Sequence, residues 1–283
     1  MNKTNSQEQP DPSFSTDDED QLLRYAKELT RLHEVERAER DLLSRTQTAL
    51  VQAQAQQQTI AEDLRRSMDA ERKLRQEAYD APLTAFKLIV AATEQRDPRH
   101  TAGHAERVTK QALALTTYLK LPKNAHRRVE IGAALHDLGK AGIPDAALTH
   151  PTGLSHGETL LYKQHTSTGA DMLRRFLLLS PGADVLAGHH EHWDGSGYPL
   201  GLSGEAISLE SRIVAVICAL DSILEQRPPT QQSHIDEAWV VLSSYAGSRL
   251  DPQLVDAAYA AWTAGAYPLD LPPTAATTAR ISR

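Results

Sequence analysis

Histidine is the residue type that most suggests chemistry in this chain, which holds twelve histidines but one cysteine. Ten of the twelve lie within residues 100–192. His100 and His104 are four positions apart, so they share one face if the segment is helical. A second signal is His136, which Asp137 follows directly. Imidazole and carboxylate groups are ligands for Zn, Fe, Mn, Ni and Co ions, so the pattern indicates a metal site.

The residues around and after this pair extend the pattern. Lys140 follows it by one turn, His165 stands alone in a helical run, and the adjacent His189 and His190 precede an Asp-Gly-Ser-Gly-Tyr-Pro segment at 194–199. An aspartate can bridge two metal ions, and two neighbouring ions can hold a nucleophile against a phosphodiester. A nearby lysine can stabilise negative charge. The pattern therefore favours metal-assisted hydrolysis of a phosphoester.

Helices are expected to position these residues. Aromatic residues make up only 5% of the chain, which argues against a β-sandwich or barrel. Apolar residues recur every three or four positions from Pro82 to about Ala264. Asp97 and Pro98 resemble an N-cap followed by a first-turn proline and predict a helix up to about Leu121. Further helices are predicted over 123–138, 156–178, 182–190, 205–225, 234–245 and 252–262. The predicted fold class is all-α.

A long helix is predicted before this domain, since residues 18–80 contain no Gly or Pro and are rich in good helix formers. Position a of a heptad register holds Leu22, Leu29, Glu36, Leu43, Leu50, Gln57 and Leu64. Position d holds Tyr25, Leu32, Glu39, Thr46, Ala53, Ile60, Ser67 and Leu74. The mostly apolar seam with polar interruptions is typical of a weak parallel coiled coil and predicts a homodimer. The alternative is a single solvated helix docked on its own domain.

Composition and charge limit the remaining classes. The net charge of −7 disfavours a broad DNA-binding face, and the single cysteine excludes a disulfide scaffold. No apolar stretch long enough to span a membrane is present, so we expect a soluble, cytoplasmic protein without a membrane partner. The predicted organisation is a disordered tail over 1–17, the coiled-coil helix over 18–80, a catalytic domain over 81–265 and a second disordered tail over 266–283.

The order and spacing of the motifs resemble a known family. His104 and the His136-Asp137 pair resemble the HD-domain metal phosphohydrolases. A more specific resemblance is to the HD-GYP type. It rests on four pieces in this order: the run from His136 to Lys140, His165, the run from His189 to Glu191, and the run from Gly197 to Pro199. The similarity covers about residues 85–262. It implies an HD-type helical fold, two or three divalent metal ions with Fe or Mn favoured and Zn as an alternative, and hydrolysis of cyclic di-GMP to pGpG or GMP.

The resemblance also implies roles for individual residues. The implied metal ligands are His104, His136, Asp137, His165, His189 and His190. Asp137 matches the bridging carboxylate and, with Lys140, the catalytic group near the scissile phosphate. The implied substrate contacts are Asp194, Gly197, Tyr198, Pro199 and Arg227.

Three departures from the family pattern bear on activity. Cys218 stands where the family has an aspartate ligand, while Asp221 keeps the second aspartate of that helix. Cys218 could replace the lost ligand as a thiolate, it could be an inert buried residue, or Asp221 could reach the metal instead. Thr230 stands in place of a substrate-contacting lysine, and His100 is a further candidate ligand.

These departures leave two alternatives to hydrolysis of cyclic di-GMP. One is a catalytically weakened module that binds nucleotide or protein partners and signals through its helix. The other is an HD phosphohydrolase that acts on a different nucleotide.

Overall fold

The computed structural model of the protein describes residues 16–148, 153–226 and 232–266. Ten α-helices occur in these ranges: α1 (Thr16–Glu94), α2 (His104–Tyr118), α3 (Lys123–Leu135), α4 (Asp145–Leu148), α5 (His156–Lys163), α6 (His165–Arg174), α7 (Ala183–Gly188), α8 (Leu209–Gln226), α9 (Gln232–Ser243) and α10 (Pro252–Thr263). Short 3₁₀ helices cover Leu138–Gly142, Ser180–Gly182 and Gly204–Ala206. An isolated bridge joins Ala246 and Leu250, and the described residues contain no β-strand. The all-α class is confirmed.

The chain divides into two compact units, Met1–Lys73 and Leu74–Arg283. In the first unit, the described residues belong to α1, and the apolar side chains of the heptad seam are exposed, from 57% at Tyr25 to 67% at Leu43. The long N-terminal helix is therefore confirmed, and its pairing with a second copy stays a prediction. The predicted domain boundaries also stay predictions. Among the described residues, none of the helices combines the length and apolar character that a bilayer crossing requires.

The helix predicted over 18–80 is longer than expected, because α1 continues through Pro82 to Glu94. Tyr79, Leu83 and Phe86 recur on one helix face and are at most 9% exposed in the core of the second unit. A proline inside a helix costs about 3 kcal/mol. Burying three large apolar side chains gains about 1.5–3 kcal/mol each and outweighs that cost.

The helix predicted to open at Asp97 and Pro98 begins only at His104. The acid that caps it is Glu94, whose carboxylate accepts from the backbone N–H of Gly103 (3.1 Å) and of Ala105 (2.6 Å). The predicted cap at 97–98 is wrong because the cap comes from ten residues before the helix. The single helix predicted over 156–178 is also two helices, α5 and α6.

Two apolar clusters frame the second unit. The larger consists of residues from α2, α3, α8, α9 and α10, such as Val108, Ile217 and Leu254. The smaller joins the last turns of α1 to α3, α6 and α7 through residues such as Phe86 and Leu173. Since α2, α3 and α7 contribute to the packing around both clusters, polar residues at their ends are held by a hydrocarbon framework on both sides.

Candidate metal centre

Six of the histidines singled out in the sequence meet at the ends of these helices. His104 begins α2, His136 follows α3, His165 begins α6, and His189 and His190 follow α7. Neighbouring ring centroids are separated by 5.2 Å for His104 and His136, 5.2 Å for His136 and His189, 5.5 Å for His165 and His189, and 4.2 Å for His189 and His190. The sixth histidine, His100, stacks on His104 with a centroid distance of 4.0 Å.

Three of these rings are oriented by the same local contact. The Nδ1 atoms of His136, His165 and His189 lie 2.7–2.8 Å from the carbonyl oxygen of the residue three positions earlier. A carbonyl oxygen only accepts, so Nδ1 carries the proton and donates it. In the neutral ring Nε2 then keeps its lone pair. This is the form in which histidine binds a metal ion.

Two of these Nε2 atoms are buried without a hydrogen-bond partner among the described residues, namely those of His165 and His189. Leaving a buried polar atom unsatisfied costs about 1–3 kcal/mol. The Nε2 atom of His165 lies 3.5 Å from Oδ1 of Asp137. Two acceptor atoms facing each other at this distance are reconciled by a cation between them. The donor set therefore fits a divalent metal ion.

The Asp137 carboxylate faces two groups of ligands with its two oxygens. Oδ1 lies near His165, and Oδ2 lies 3.4 Å from Nε2 of His136. Four groups of three residues could each hold an ion, because within each group one donor atom per residue lies within 4.8 Å of the others. The groups are His104, His136 and Cys218; His165, His189 and His190; His100, His104 and Asp137; and His104, Asp221 and Glu225. The position of Asp137 between the first two groups matches a bridging carboxylate.

Burial holds most of these imidazoles in the neutral form. Desolvation lowers the pKa of His165 to about 4 and holds the pKa of His189 and His190 below the ordinary value for histidine. Burial also raises the pKa of Asp137, but the adjacent charge of Lys140 outweighs it and the net pKa is well below that of a free carboxyl. Neutral imidazole beside an ionised carboxylate is the protonation state that a metal site requires. At His136 burial again opposes the charged form, but the neighbouring Cys218 and Asp137 raise the pKa well above the ordinary value for histidine.

Asp221 orients His104. Its Oδ2 lies 2.7 Å from Nδ1 of His104. Arg107 donates from Nε to Oδ1 (2.8 Å) and from Nη2 to Oδ2 (2.9 Å). With both oxygens occupied, Asp221 is placed to fix the ring of His104. Burial opposes protonation of His104, yet the hydrogen bond to Asp221 raises its pKa to about 9.

Sequence reasoning missed the two charged residues that complete this network, Arg107 and Glu225. Glu225 lies on α8 and accepts from the backbone N–H and hydroxyl of Thr101 and from Arg107. Its Oε2 is also 3.2 Å from Nδ1 of His100. Nε2 of His100 then lies 3.8 Å from Oδ2 of Asp137, which places His100 at the edge of the cluster. The signal available for Arg107 was its position one turn after His104.

Lys140 is 2% exposed, and its ammonium group contacts two carboxylates. Nζ donates to Oδ2 of Asp137 (2.7 Å) and to Oδ2 of Asp97 (3.0 Å). Burial disfavours the charged amine, but these two carboxylates raise the pKa of Lys140 above its ordinary value. The structure therefore places a buried positive charge next to Asp137.

Gly139 holds Asp137, two residues before it, at a fixed distance from His165 at the start of α6. A Cβ atom at this position would lie 1.9 Å from the carbonyl oxygen of His165 and 2.7 Å from the backbone nitrogen of Gly169. Only glycine allows the 3₁₀ helix after Asp137 to approach the start of α6 this closely. Backbone contact therefore sets the spacing between Asp137 and His165.

The Gly-Tyr-Pro loop reaches the same cluster. The Tyr198 ring stacks on that of His190 with a centroid distance of 4.8 Å and an interplanar angle of 17°. The backbone N–H of Tyr198 donates to the carbonyl of His190 (3.1 Å). A Cβ atom at Gly197 would lie 2.2 Å from the backbone nitrogen of His192, so the loop passes against the strip of chain that holds the histidines. Pro199 follows Tyr198 through a cis peptide bond.

Glu191 holds the far side of this loop, a function that the sequence analysis did not assign. It is 3% exposed, and its carboxylate accepts from the backbone N–H of Leu200 (2.7 Å) and of Leu202 (2.9 Å). Asp194 accepts from the backbone N–H of Ser196 (2.9 Å) within the loop. Arg227 and Thr230 lie outside the described residues.

A cavity of about 410 Å³ opens beside the histidine cluster. Its wall includes His189, His190 and Cys218 on the cluster side and Tyr245 and Arg249 farther out. The Arg249 guanidinium lies 4.9 Å from the centre of the Tyr245 ring. The cavity thus joins candidate metal ligands to an exposed cation on an aromatic surface.

Comparison with known proteins identifies the family. The profile of the HD domain family matches residues 92–254, which is more than half of the chain. The chain therefore belongs to the HD domain family, and the resemblance drawn from its motifs is confirmed.

Curated relatives carry phosphodiesterase names. The chain is 39% identical over 173 residues to the cyclic di-GMP phosphodiesterase response regulator RpfG of Xanthomonas campestris pv. campestris, which covers 60% of this chain and 45% of that protein. It is 33% identical over 183 residues to a cyclic di-GMP phosphodiesterase of Thermotoga maritima, and the match covers 64% of this chain and 50% of that protein. It is 31% identical over 171 residues to 3'3'-cGAMP-specific phosphodiesterase 3 of Vibrio cholerae, and the match covers 60% of this chain and 36% of that protein. The chain spans half or less of the length of these relatives.

Proposed function

We propose that the protein is a metal-dependent phosphodiesterase that hydrolyses cyclic di-GMP to pGpG or GMP. The observation that carries this proposal is the Asp137 carboxylate, with one oxygen near His165 and the other near His136. Two ligand groups that share one carboxylate are the arrangement expected for a pair of metal ions. The phosphodiesterase names of the relatives support the reaction class.

Each ion has a defined set of candidate ligands. His165, His189 and His190 would hold one ion, His104 and His136 would hold the other, and Asp137 would join them. Two divalent ions, when bound, supply positive charge that neutralises the phosphodiester and activates water for attack. Lys140 keeps Asp137 ionised and in place through its 2.7 Å hydrogen bond.

The cavity beside the cluster is the proposed nucleotide site. Its wall carries Tyr245 and the exposed Arg249, a cation suited to the two phosphates of a cyclic dinucleotide. Tyr198 is held over the cluster by its stack on His190, where it can contact the sugar-phosphate ring. The loop that carries Tyr198 is in turn held by Glu191.

A second copy of the chain is the proposed partner of the N-terminal helix. The heptad seam is apolar at most positions and its large side chains are more than half exposed. An amphipathic seam of this length would bury these side chains by pairing in parallel.

The reaction is tested by anaerobic incubation of the full chain with Fe(II) or Mn(II) and cyclic di-GMP, with 3'3'-cGAMP as a second substrate and chromatographic separation of products. We expect metal-dependent formation of pGpG or GMP from cyclic di-GMP. His136→Ala should abolish it, and His156→Ala, at an exposed position at the start of α5, should retain it. Intact cyclic di-GMP in the presence of verified bound metal would refute the proposal. Tight binding of the intact nucleotide would then favour a signalling module.

A further inference from the structure

We infer that Cys218 is a thiolate ligand of the ion that His104 and His136 hold, so that the two ions have different ligand chemistry. One ion is bound through sulfur, nitrogen and oxygen, and the other through nitrogen and oxygen alone. This inference rests on the proposed metal centre and specifies which ions it selects.

The geometry brings the thiol to two imidazoles. Cys218 Sγ, a ring nitrogen of His104 and a ring nitrogen of His136 all lie within 4.8 Å of one another. His104 and His136 are 1% and 2% exposed, so these nitrogens are removed from solvent. Cys218 packs against the larger apolar cluster, and it also has these two nitrogen donors within reach at the edge of a cavity.

One nitrogen of each of these two imidazoles is already engaged. Nδ1 of His104 is engaged by Asp221, and Nδ1 of His136 by a backbone carbonyl. That leaves Nε2 of each ring for an ion. Cys218 also precedes Asp221 by three residues on α8, so both side chains face the same side of that helix. One helix face thus orients His104 through Asp221 and supplies a ligand through Cys218.

Counting donors supports a fourth ligand at this position. His104 and His136 supply two nitrogens, and Asp137 supplies one oxygen, 3.4 Å from Nε2 of His136. Cys218 completes a set of four, the usual number for Zn²⁺ in proteins. On the other side, His165, His189, His190 and Asp137 form a set of four without sulfur.

The sulfur ligand changes which ions the centre prefers. Thiolate is a soft ligand that favours Zn²⁺, Co²⁺ and Fe²⁺ over Mn²⁺ and Mg²⁺, which prefer oxygen. We therefore expect the thiolate-containing position to bind Zn²⁺ or Fe²⁺ more tightly than Mn²⁺. The other position accepts a wider range of ions.

The test uses Co²⁺ as the probe, because thiolate bound to Co²⁺ gives a charge-transfer band in the near ultraviolet. The chain has one cysteine, so any such band in the full-length protein comes from Cys218. Metal-free protein is titrated anaerobically with Co²⁺, and the spectra of wild type, Cys218→Ala and Cys218→Asp are compared. Bound metal is counted by elemental analysis, and circular dichroism verifies that each variant is folded.

We expect the band in wild type, and it should stop growing once one Co²⁺ ion per chain is bound at the Cys218 position. We expect no band in either variant. Cys218→Asp should still bind two ions and should shift the preference from Zn²⁺ toward Mn²⁺ by about tenfold or more, as changes in ligand chemistry commonly do. Two bound Co²⁺ ions in wild type without the band would overturn the inference. So would a Zn²⁺ over Mn²⁺ preference that Cys218→Asp leaves unchanged.

These results are distinct from the outcome of the hydrolysis assay. A thiolate band in a protein that hydrolyses no cyclic dinucleotide would uphold the ligand and refute the proposed reaction. Hydrolysis with no band would uphold the reaction and refute the ligand.

Discussion

The Nδ1 atom of His104 lies 2.7 Å from Oδ2 of Asp221, although the two residues are 117 positions apart. This contact links the first residue of α2 to the middle of α8. Both residues are essentially excluded from solvent, with side-chain exposures of 1% and 0%. Asp221 is therefore a buried carboxylate that fixes the orientation of His104, a candidate metal ligand.

Asp221→Asn tests this positioning function. The amide removes the charge that holds His104 and weakens the pairing of the buried Arg107 guanidinium, which keeps Glu225 as its ionised partner. Loss of such an orienting carboxylate lowers metal affinity by about 10–100-fold. Zn²⁺ affinity is measured by competition with a chromophoric chelator. Asp171→Asn, at a carboxylate that is 70% exposed, is the control and should leave the affinity unchanged. Equal affinities in the two variants would contradict the prediction.

Gly139→Ala tests the backbone contact that sets the ligand spacing. The added Cβ would lie 1.9 Å from the carbonyl oxygen of His165, so the 3₁₀ helix or α6 must move. Overpacking of this kind costs about 1–3 kcal/mol. We expect a lower melting temperature and a lower bound-metal content. Gly142→Ala, in the same 3₁₀ helix, is the matched control, because its Cβ would meet no atom within 4 Å. A stable, fully loaded Gly139→Ala protein would count against this interpretation.

Glu191→Ala tests the support of the Gly-Tyr-Pro loop. The substitution removes the acceptor for two backbone N–H groups, those of Leu200 and Leu202. The loop would lose its fixed position, so we expect a several-fold higher KM for cyclic di-GMP at unchanged metal content. Glu205→Ala, at an exposed position in the next 3₁₀ helix, serves as the comparison. If KM is the same for both variants, Glu191 does not position substrate.

Removal of the metal ions should leave the fold intact. The histidines lie at the ends of helices whose cores are hydrocarbon, and Gly139 fixes the spacing between Asp137 and His165 without any metal. Chelation should therefore leave the far-ultraviolet circular dichroism unchanged. Added Zn²⁺ should raise the melting temperature, because binding to the folded state alone stabilises by about 2.7 kcal/mol at a ligand concentration of 100 Kd. Loss of helical signal on chelation would show that the site is not formed in advance.

The neighbouring residues Leu50 and Val51 provide a matched test of the coiled coil. Both are 59% exposed, but Leu50 occupies an a position of the heptad and Val51 a b position. Leu50→Glu places a charge in the predicted dimer seam and should shift the full chain from dimer toward monomer in light scattering. Val51→Glu should remain dimeric. If the two variants give the same mass, the seam does not mediate association.

The sequence was informative where chemistry depends on residue type and on spacing along one helix. The run from His136 to Lys140, the His189-His190 pair and the Gly-Tyr-Pro loop identified the cluster because these motifs are local. The partners of the ligands could not be predicted, since Glu225 and Asp221 reach His100 and His104 across more than 100 positions. No spacing rule relates residues so far apart.

Helix boundaries were less predictable for a related reason. The local preference of proline to begin or end a helix was overridden at Pro82 by burial of Tyr79, Leu83 and Phe86. At Asp97 the carboxylate accepts from Lys140 and from the side chain and backbone N–H of Arg99, and the helix begins only at His104. In both cases a tertiary contact outweighs a local signal of a few kcal/mol.

The one cysteine lies half-buried in the wall of a cavity of about 410 Å³, within reach of small molecules that enter from solvent. Any maleimide dye, spin label or mercury atom that reacts with thiols will therefore attach at a single, known place in the molecule. Such a reporter sits where nucleotide and metal are proposed to meet. Because a thiol that is bound to an ion does not react, the rate of labelling with and without added metal reports whether the ion occupies this place.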